Sequence, residues 1–365
     1  MKNTALFYAT SACDTMMKKY EGAKLPPEGH FYYHQGVFLS GVYKIFQAGK
    51  DKKLFEYMKS WVDAVVDDAG VIDVFDKGQL DYCQSGILLF PLLEEQDSME
   101  SGEQKYKIAI EKIAQTISEY PVNRVGGFWH NVGCVEQMWL DGLYMAGPFC
   151  TMYGKKFDNK DFTELAIRQI FLMREHTKDA ETGLWYHAWD PLKKLPWANQ
   201  KTGLSPEFWG RSVGWVPVAI LDMLDNISGT HEKYFEICEL VVELISAVCK
   251  YQSEDGRWFQ VVNKGGQEGN WLENSCSCLF VAAIYKAVRK GILDSQYIEK
   301  AKKGYDGIIA DLKWEDENLL IGGVCVGTGV GDYEHYCNRP TSTNDLHGVG
   351  AFLIMCAEIE EYNQG

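Results

Sequence analysis

The stretch GVGAFLIMCAEIEEY, Gly348 to Tyr362, decides the fold. It begins with two closely spaced glycines and is apolar on every side of a helix until Glu358. A helix that is apolar all round is buried, whereas one with a single apolar stripe exposes its other face. Five earlier segments share this character: GVFLSGVYKIFQAG from Gly36, GILLFPLLEEQ from Gly86, GLYMAGPFCTMYG from Gly142, GWVPVAILDML from Gly214 and SCLFVAAIYKAVRKG from Ser277. Their spacing of 50 to 72 residues suits a helical hairpin plus a long loop. Between them lie LFEYMKSWVDAVVDD, KYKIAIEKIAQTISEY, FTELAIRQIFLMREH, YFEICELVVELISAVCKY and QYIEKAKKGYDGIIADL, with apolar residues at i, i+3, i+4 and i+7. Buried helices alternating with half-exposed ones fit either a ring within a ring or an open solenoid. The terminal repeat of a solenoid needs a polar outer face. Residues 348–363 are instead as apolar as the middle segments. The expected architecture is therefore an all-α (α/α)6 barrel, six helical hairpins in an inner and an outer ring. No linker rich in Pro, Ser or charge divides the sequence, so residues 1–365 are expected to be one domain.

Composition narrows the partners. Fifty-one Asp+Glu against thirty-six Lys+Arg gives a net charge of −15, which argues against nucleic acid, because phosphate backbones require a basic surface. No run approaches the ~20 apolar residues that span a bilayer. Eleven cysteines are scattered without C-x-x-C spacing, and most stand in apolar runs, pointing to a reduced, cytoplasmic protein. The apolar stretch Ala5–Ala12 before Cys13 is too short for a lipoprotein signal and reads as an amphipathic helix ending in Lys18-Lys19.

The loops that lead into the buried helices are long and aromatic, and in an alternating ring they all lie at one end. Long loops in a compact domain are usually functional. His30, His34, His130, His187, His335 and His347 fall in or beside them, and Asp81, Asp141, Glu273 and Asp345 stand at the starts of buried helices. Each such carboxylate can be a plain helix cap. Asp141 differs in lying between Met138-Trp139-Leu140 and Leu143-Tyr144-Met145, where desolvation would raise its pKa toward that of a general acid. Arg211 and Trp215, four residues apart, share a helical face and make a seat for a carboxylated sugar; alternatively Arg211 pairs with an acid and Trp215 is core. The glycines of VGTGVGD, from Val326, lack the strand and helix of a dinucleotide site and read as a lid within the 322–347 loop. His130 and His187 lack paired ligand spacing, so no metal is expected.

GGFWH (126–130), QMWLDGLYMA (137–146), TGLWYHAWD (182–190), EFWGRSVGW (207–215) and ND-x-HGVGAFL (344–353) together resemble glycoside hydrolase family 105, the unsaturated rhamnogalacturonyl hydrolases, which are related to the family 88 unsaturated glucuronyl hydrolases. The resemblance runs from about residue 28 to 362 and implies an (α/α)6 barrel. It implies a small unsaturated oligosaccharide as substrate, with a 4,5-unsaturated uronic acid at its non-reducing end. The reaction it implies is hydration of the vinyl ether, with no organic cofactor and no metal. On this resemblance Asp141 is the catalytic aspartate, acid then base, and Asp81 its partner. His187, Arg211 and Trp215 fall at sugar- and carboxylate-binding positions, and Trp129, His130 and Trp189 form the wall beside them. The early W-x-Y-x-x-G of the family is here F-Y-Y-H-Q-G, keeping Tyr33 with Phe31 in place of Trp. A carbohydrate-binding toroid without catalysis, and an (α/α)6 epimerase or inverting glucosidase, are the other readings. The oligomeric state is open.

Overall fold

The computed structural model describes residues 4–98 and 104–365. Helix α1 (Ala5–Lys19) leads into α2 (Tyr33–Gly49) and α3 (Lys52–Val65). Next comes a segmented rod, α4 (Asp81–Gln84), a 3-10 turn (Ser85–Leu88) and α5 (Leu89–Ser98), followed by α6 (Lys105–Ser118). The pattern continues with α7 (Asp141–Lys156) and α8 (Lys160–Thr177), then α9 (Gly210–Leu224) and α10 (Tyr234–Cys249), then α11 (Asn274–Arg289) and α12 (Ile298–Asp311). A short α13 (Tyr333–Cys337) precedes α14 (Leu346–Gln364).

Burial sorts these helices as their sequences demand. In α9 every residue but Asp222 is buried, while α10 buries the stripe Ile237, Leu240, Val241, Leu244, Ile245 and Val248. Pro91 falls in the first turn of α5, where a missing N–H is tolerated. Around the inner ring α2 packs on α4, α4 on α7, α7 on α9, α9 on α11, α11 on α14, and α14 back on α2. The fold is an (α/α)6 barrel.

Closure depends on the opening glycines of the 348–362 stretch. A Cβ on Gly350 would lie 2.6 Å from the backbone of Val37, and one on Gly41 would lie 2.7 Å from Cβ of Leu353. The α2 and α14 backbones approach so closely because neither position carries a side chain. Val37, Phe38, Phe352 and Leu353 are then fully buried, each contributing about 1.5–3 kcal/mol. The sixth outer position goes to α1, which packs on α14 and donates the Leu6 amide to Glu360 Oε1 at 3.0 Å. The first and last helices of the sequence thus complete one hairpin, which periodicity alone does not reveal.

At the end where the inner helices begin, long loops zip together by short strand pairs. β1 (Met138–Trp139) pairs with β2 (Ala188–Trp189) and β3 (Trp258–Phe259) with β4 (Leu272–Glu273). A hairpin of β5 (Lys313–Glu315) and β6 (Asn318–Leu320) rests on α1, where Leu319 N donates to Thr15 Oγ1 at 2.9 Å. β7 (Val324–Cys325) pairs with β8 (Thr341–Ser342) at the base of the 322–347 loop. No described helix is long and apolar enough to cross a membrane.

Candidate active site

Where the inner helices begin, a cavity of about 190 Å³ opens. Asp81 is the first residue of α4 and Asp141 the first of α7, and both line it. Neither carboxylate caps its helix, because each stands one residue too late to reach the free amides. Glu273 and Asp345 do cap, accepting from the amides of Cys276 and His347. Of the four acidic residues at helix starts, Glu273 and Asp345 are the ones that cap.

The two cavity carboxylates differ in surroundings. Asp81 Oδ2 accepts the Tyr32 hydroxyl at 3.1 Å, and Oδ1 is buried without a partner. Burial pushes the Asp81 pKa up, the nearby charge of Asp141 adds to this, and His130 offsets part of it. Asp141 departs from the sequence expectation. Burial does push its pKa up, but the hydrogen bond and charge of His187 outweigh burial and hold it below the usual carboxylate value. Desolvation follows from the apolar residues flanking Asp141, whereas the buried histidine behind the carboxylate comes from a separate loop.

That histidine sits in a directed chain. His187 Nε2 is 3.1 Å from Asp141 Oδ2, and Nδ1 is 2.7 Å from the Tyr336 hydroxyl, which accepts the Gly331 amide at 3.1 Å. Burial holds the His187 pKa below the ordinary value, so the ring is neutral near pH 7. Tyr336 then donates to Nδ1 and the proton on Nε2 points at Asp141, a tautomer assigned from this network. His187 is fully buried behind the cavity wall, packed against Asp141, Trp139 and Trp209. It orients the carboxylate and does not stand at a sugar-binding surface.

The remaining candidates divide by side-chain direction. Tyr33, His130, Arg211 and Trp215 line the cavity. Trp215 borders it from the core, 1% exposed and stacked on Tyr144 at 4.3 Å. Arg211 donates to the carbonyls of Cys325 at 2.6 Å and Val326 at 2.8 Å, and its guanidinium lies over the Trp209 ring. Glu273 is 3.8 Å away, so Arg211 lines the cavity and also has an acidic neighbour. The carbonyls it grips lead into Gly327–Gly329, which cover the cavity between Tyr33 and Trp139.

Trp189 and Trp129 are not among the cavity-lining residues. In the β1–β2 pair, Trp139 is opposite Ala188 and Met138 opposite Trp189. Opposite residues share a face and successive ones alternate, so turning Trp139 inward turns Trp189 outward. There Trp189 stacks on His176 at 4.0 Å. Likewise His130 faces inward, stacked on Trp139 at 4.0 Å, and its neighbour Trp129 does not. Phe31 is core, stacked on Trp61, and no part of the cavity wall. Sequence reasoning missed Tyr32, Trp139, Trp209 and Tyr336; for Trp139 the available signal was its place two residues before Asp141 in QMWLD.

The sequence profile of Glycosyl Hydrolase Family 88 matches residues 8–363. The unsaturated rhamnogalacturonyl hydrolase YesR of Bacillus subtilis (strain 168) is 25% identical over 330 residues, covering 89% of this chain and 88% of its own. A family 105 glycoside hydrolase from C. acetobutylicum ATCC 824 superposes with a TM-score of 0.91 at 29% identity, covering 98% of this chain and 99% of the other. The unsaturated glucuronyl hydrolase of Bacillus sp. GL1 shares the fold, with a TM-score of 0.70 at 13% identity over 98% of this chain and 97% of its own. The profile match spans the closed ring and both cavity aspartates: the chain belongs to glycosyl hydrolase family 88 and is a glycoside hydrolase.

Proposed function

We propose that the enzyme, one catalytic domain, removes a 4,5-unsaturated uronic acid from the non-reducing end of lyase-generated oligosaccharides, rhamnogalacturonan fragments foremost. The observation that carries this reading is the pair Asp81 and Asp141 in one buried cavity, with environments that drive their pKa values apart. Cleaving a glycosidic bond directly needs an acid plus a nucleophile or base flanking that bond. Hydrating a vinyl ether needs one acid that becomes a base.

Asp141 delivers a proton to C4, and water adds at C5 as Asp141 takes a proton back. The resulting C5 hemiketal opens by breaking the bond from C5 to the ring oxygen. The hemiacetal left at C1 expels the aglycone as an alcohol, and the uronate leaves as a keto acid. One water is consumed per bond broken. In the free cavity Asp141 holds its proton poorly. An incoming uronate brings a like charge and excludes water, and both push its pKa up. Asp81, its pKa pushed up by burial, holds a proton more readily than a free carboxylate and faces the sugar hydroxyls. Trp215 borders the cavity from the core, with Arg211 and His130 as polar walls. All eleven cysteines are free, which supports a reducing, cytoplasmic setting.

Incubation with lyase digests of rhamnogalacturonan, heparin-type and ulvan-type polysaccharide, followed by ultraviolet absorbance of the unsaturated uronate, tests the proposal. The absorbance is expected to fall fastest with the rhamnogalacturonan digest. Unchanged absorbance with all three would leave a binding toroid or an epimerase as the better account.

A further inference from the structure

We propose that His34, Asp345 and His347 form a site for one divalent cation of the zinc class. One ligating atom from each lies within 4.8 Å of the other two. His34 is in the first turn of α2, while Asp345 and His347 open α14, so the site joins the two helices whose contact closes the inner ring.

The chemistry of His347 makes this more than a cluster of ligand types. Its ring is fully buried. Nε2 lies 3.1 Å from the carbonyl of Cys325, which also accepts Arg211. A carbonyl can only accept, so Nε2 carries the hydrogen and, in a neutral ring, Nδ1 is left with a lone pair. That Nδ1 is buried, with Asp345 Oδ1 as its close partner at 2.6 Å. A cation bound by both atoms takes the place of the proton that otherwise joins them. A metal-bound histidine characteristically donates its other N–H to a backbone carbonyl, as His347 does. His34 completes the set, its ring centroid 4.9 Å from that of His347. Two imidazoles and one carboxylate suit zinc and its neighbours rather than magnesium or calcium, which prefer oxygen throughout.

The position gives the ion two consequences. It would clip α2 to α14 where only glycines allow the approach. His34 also lines the cavity that holds Asp141, so the ion would bring positive charge to the rim of a site built to take an anion in a chain of net charge −15. Sequence spacing concealed the site, because its ligands come from opposite ends of the chain.

The test uses the full-length enzyme dialysed against chelator and then titrated with Zn²⁺ by calorimetry, with Co²⁺ as a spectroscopic probe. One equivalent of Zn²⁺ is expected to bind, visible Co²⁺ bands are expected to report nitrogen and oxygen ligation, and Tm is expected to rise by several degrees at about 100 times Kd. Asp345→Asn keeps an effective helix cap but removes the anionic ligand; it and His34→Gln are each expected to weaken binding by at least about tenfold. If wild type takes up no stoichiometric metal, or if both variants bind it as tightly as wild type, the proposal is wrong and His347 is instead a protonated partner of Asp345. Should a variant fail to fold, the wild-type stoichiometry and Co²⁺ spectrum still decide.

Discussion

Asp141→Asn is expected to lower kcat on an unsaturated disaccharide by about 10²–10⁴-fold, the usual worth of a positioned general acid, while KM stays within a few-fold of wild type. The substitution is nearly isosteric. The Asn amide oxygen still accepts the proton on His187 Nε2, so the chain through Tyr336 to the Gly331 amide is retained. What disappears is the ability to hand a proton to C4 and take one from water. A loss shared equally between binding and turnover would point to collapse of the cavity. A variant that turned over at a comparable rate would move the acid role to Asp81, the other carboxylate lining the cavity.

The second large effect lies at the far end of the barrel. Glu358→Ala is expected to destabilise the fold by about 3–5 kcal/mol at pH 7, because it removes the buried carboxylate that Lys44, Lys286 and Arg289 share. Glu358 is 2% exposed and accepts Lys44 at 3.0 Å and Arg289 at 2.7 Å, with Lys286 at 4.0 Å. Lys286 also pairs with Asp222 and, at 2.5 Å, with Asp225, and Arg289 with Glu361 at 2.6 Å. Burial alone would raise the Glu358 pKa, but Lys44, Lys286 and Arg289 together hold it at about 2. The sign follows: a folded value below the unfolded one, about 4.3, stabilises at pH above the unfolded value. That stabilisation fades as pH falls from there toward 2. Denaturant melts of wild type and Glu358→Gln at several pH values check this. Their difference in stability should shrink between about pH 4.5 and 2, and a difference independent of pH would mean that packing, not charge, is what Glu358 supplies.

What the sequence disclosed and what it hid follow from the range of the signals. Ring architecture was legible because each inner helix announces itself locally, by small residues and apolarity on all sides, and Gly350 against Val37 is the contact those glycines imply. Asp81, Asp141 and Arg211 were legible as polar groups out of place in apolar segments. Trp189 misled, because a residue's identity does not say which face of a two-residue strand it takes; pairing with Met138 decides that. The depressed pKa of Asp141 was hidden for a similar reason: it depends on a histidine brought up behind it by a separate loop. The role of α1 as the sixth outer helix, and the meeting of His34 with His347, arise only when the two ends of the chain close the ring.

The central claim is that a carbon–carbon double bond is hydrated and that the glycosidic bond breaks only as a consequence. One turnover in D₂O, followed by proton NMR of the released uronate, tests it most directly. The account predicts one deuterium at C4, delivered to a single face, appearing together with free aglycone. Aglycone released while the C4 vinyl proton remains in place, with no deuterium at that carbon, would contradict it.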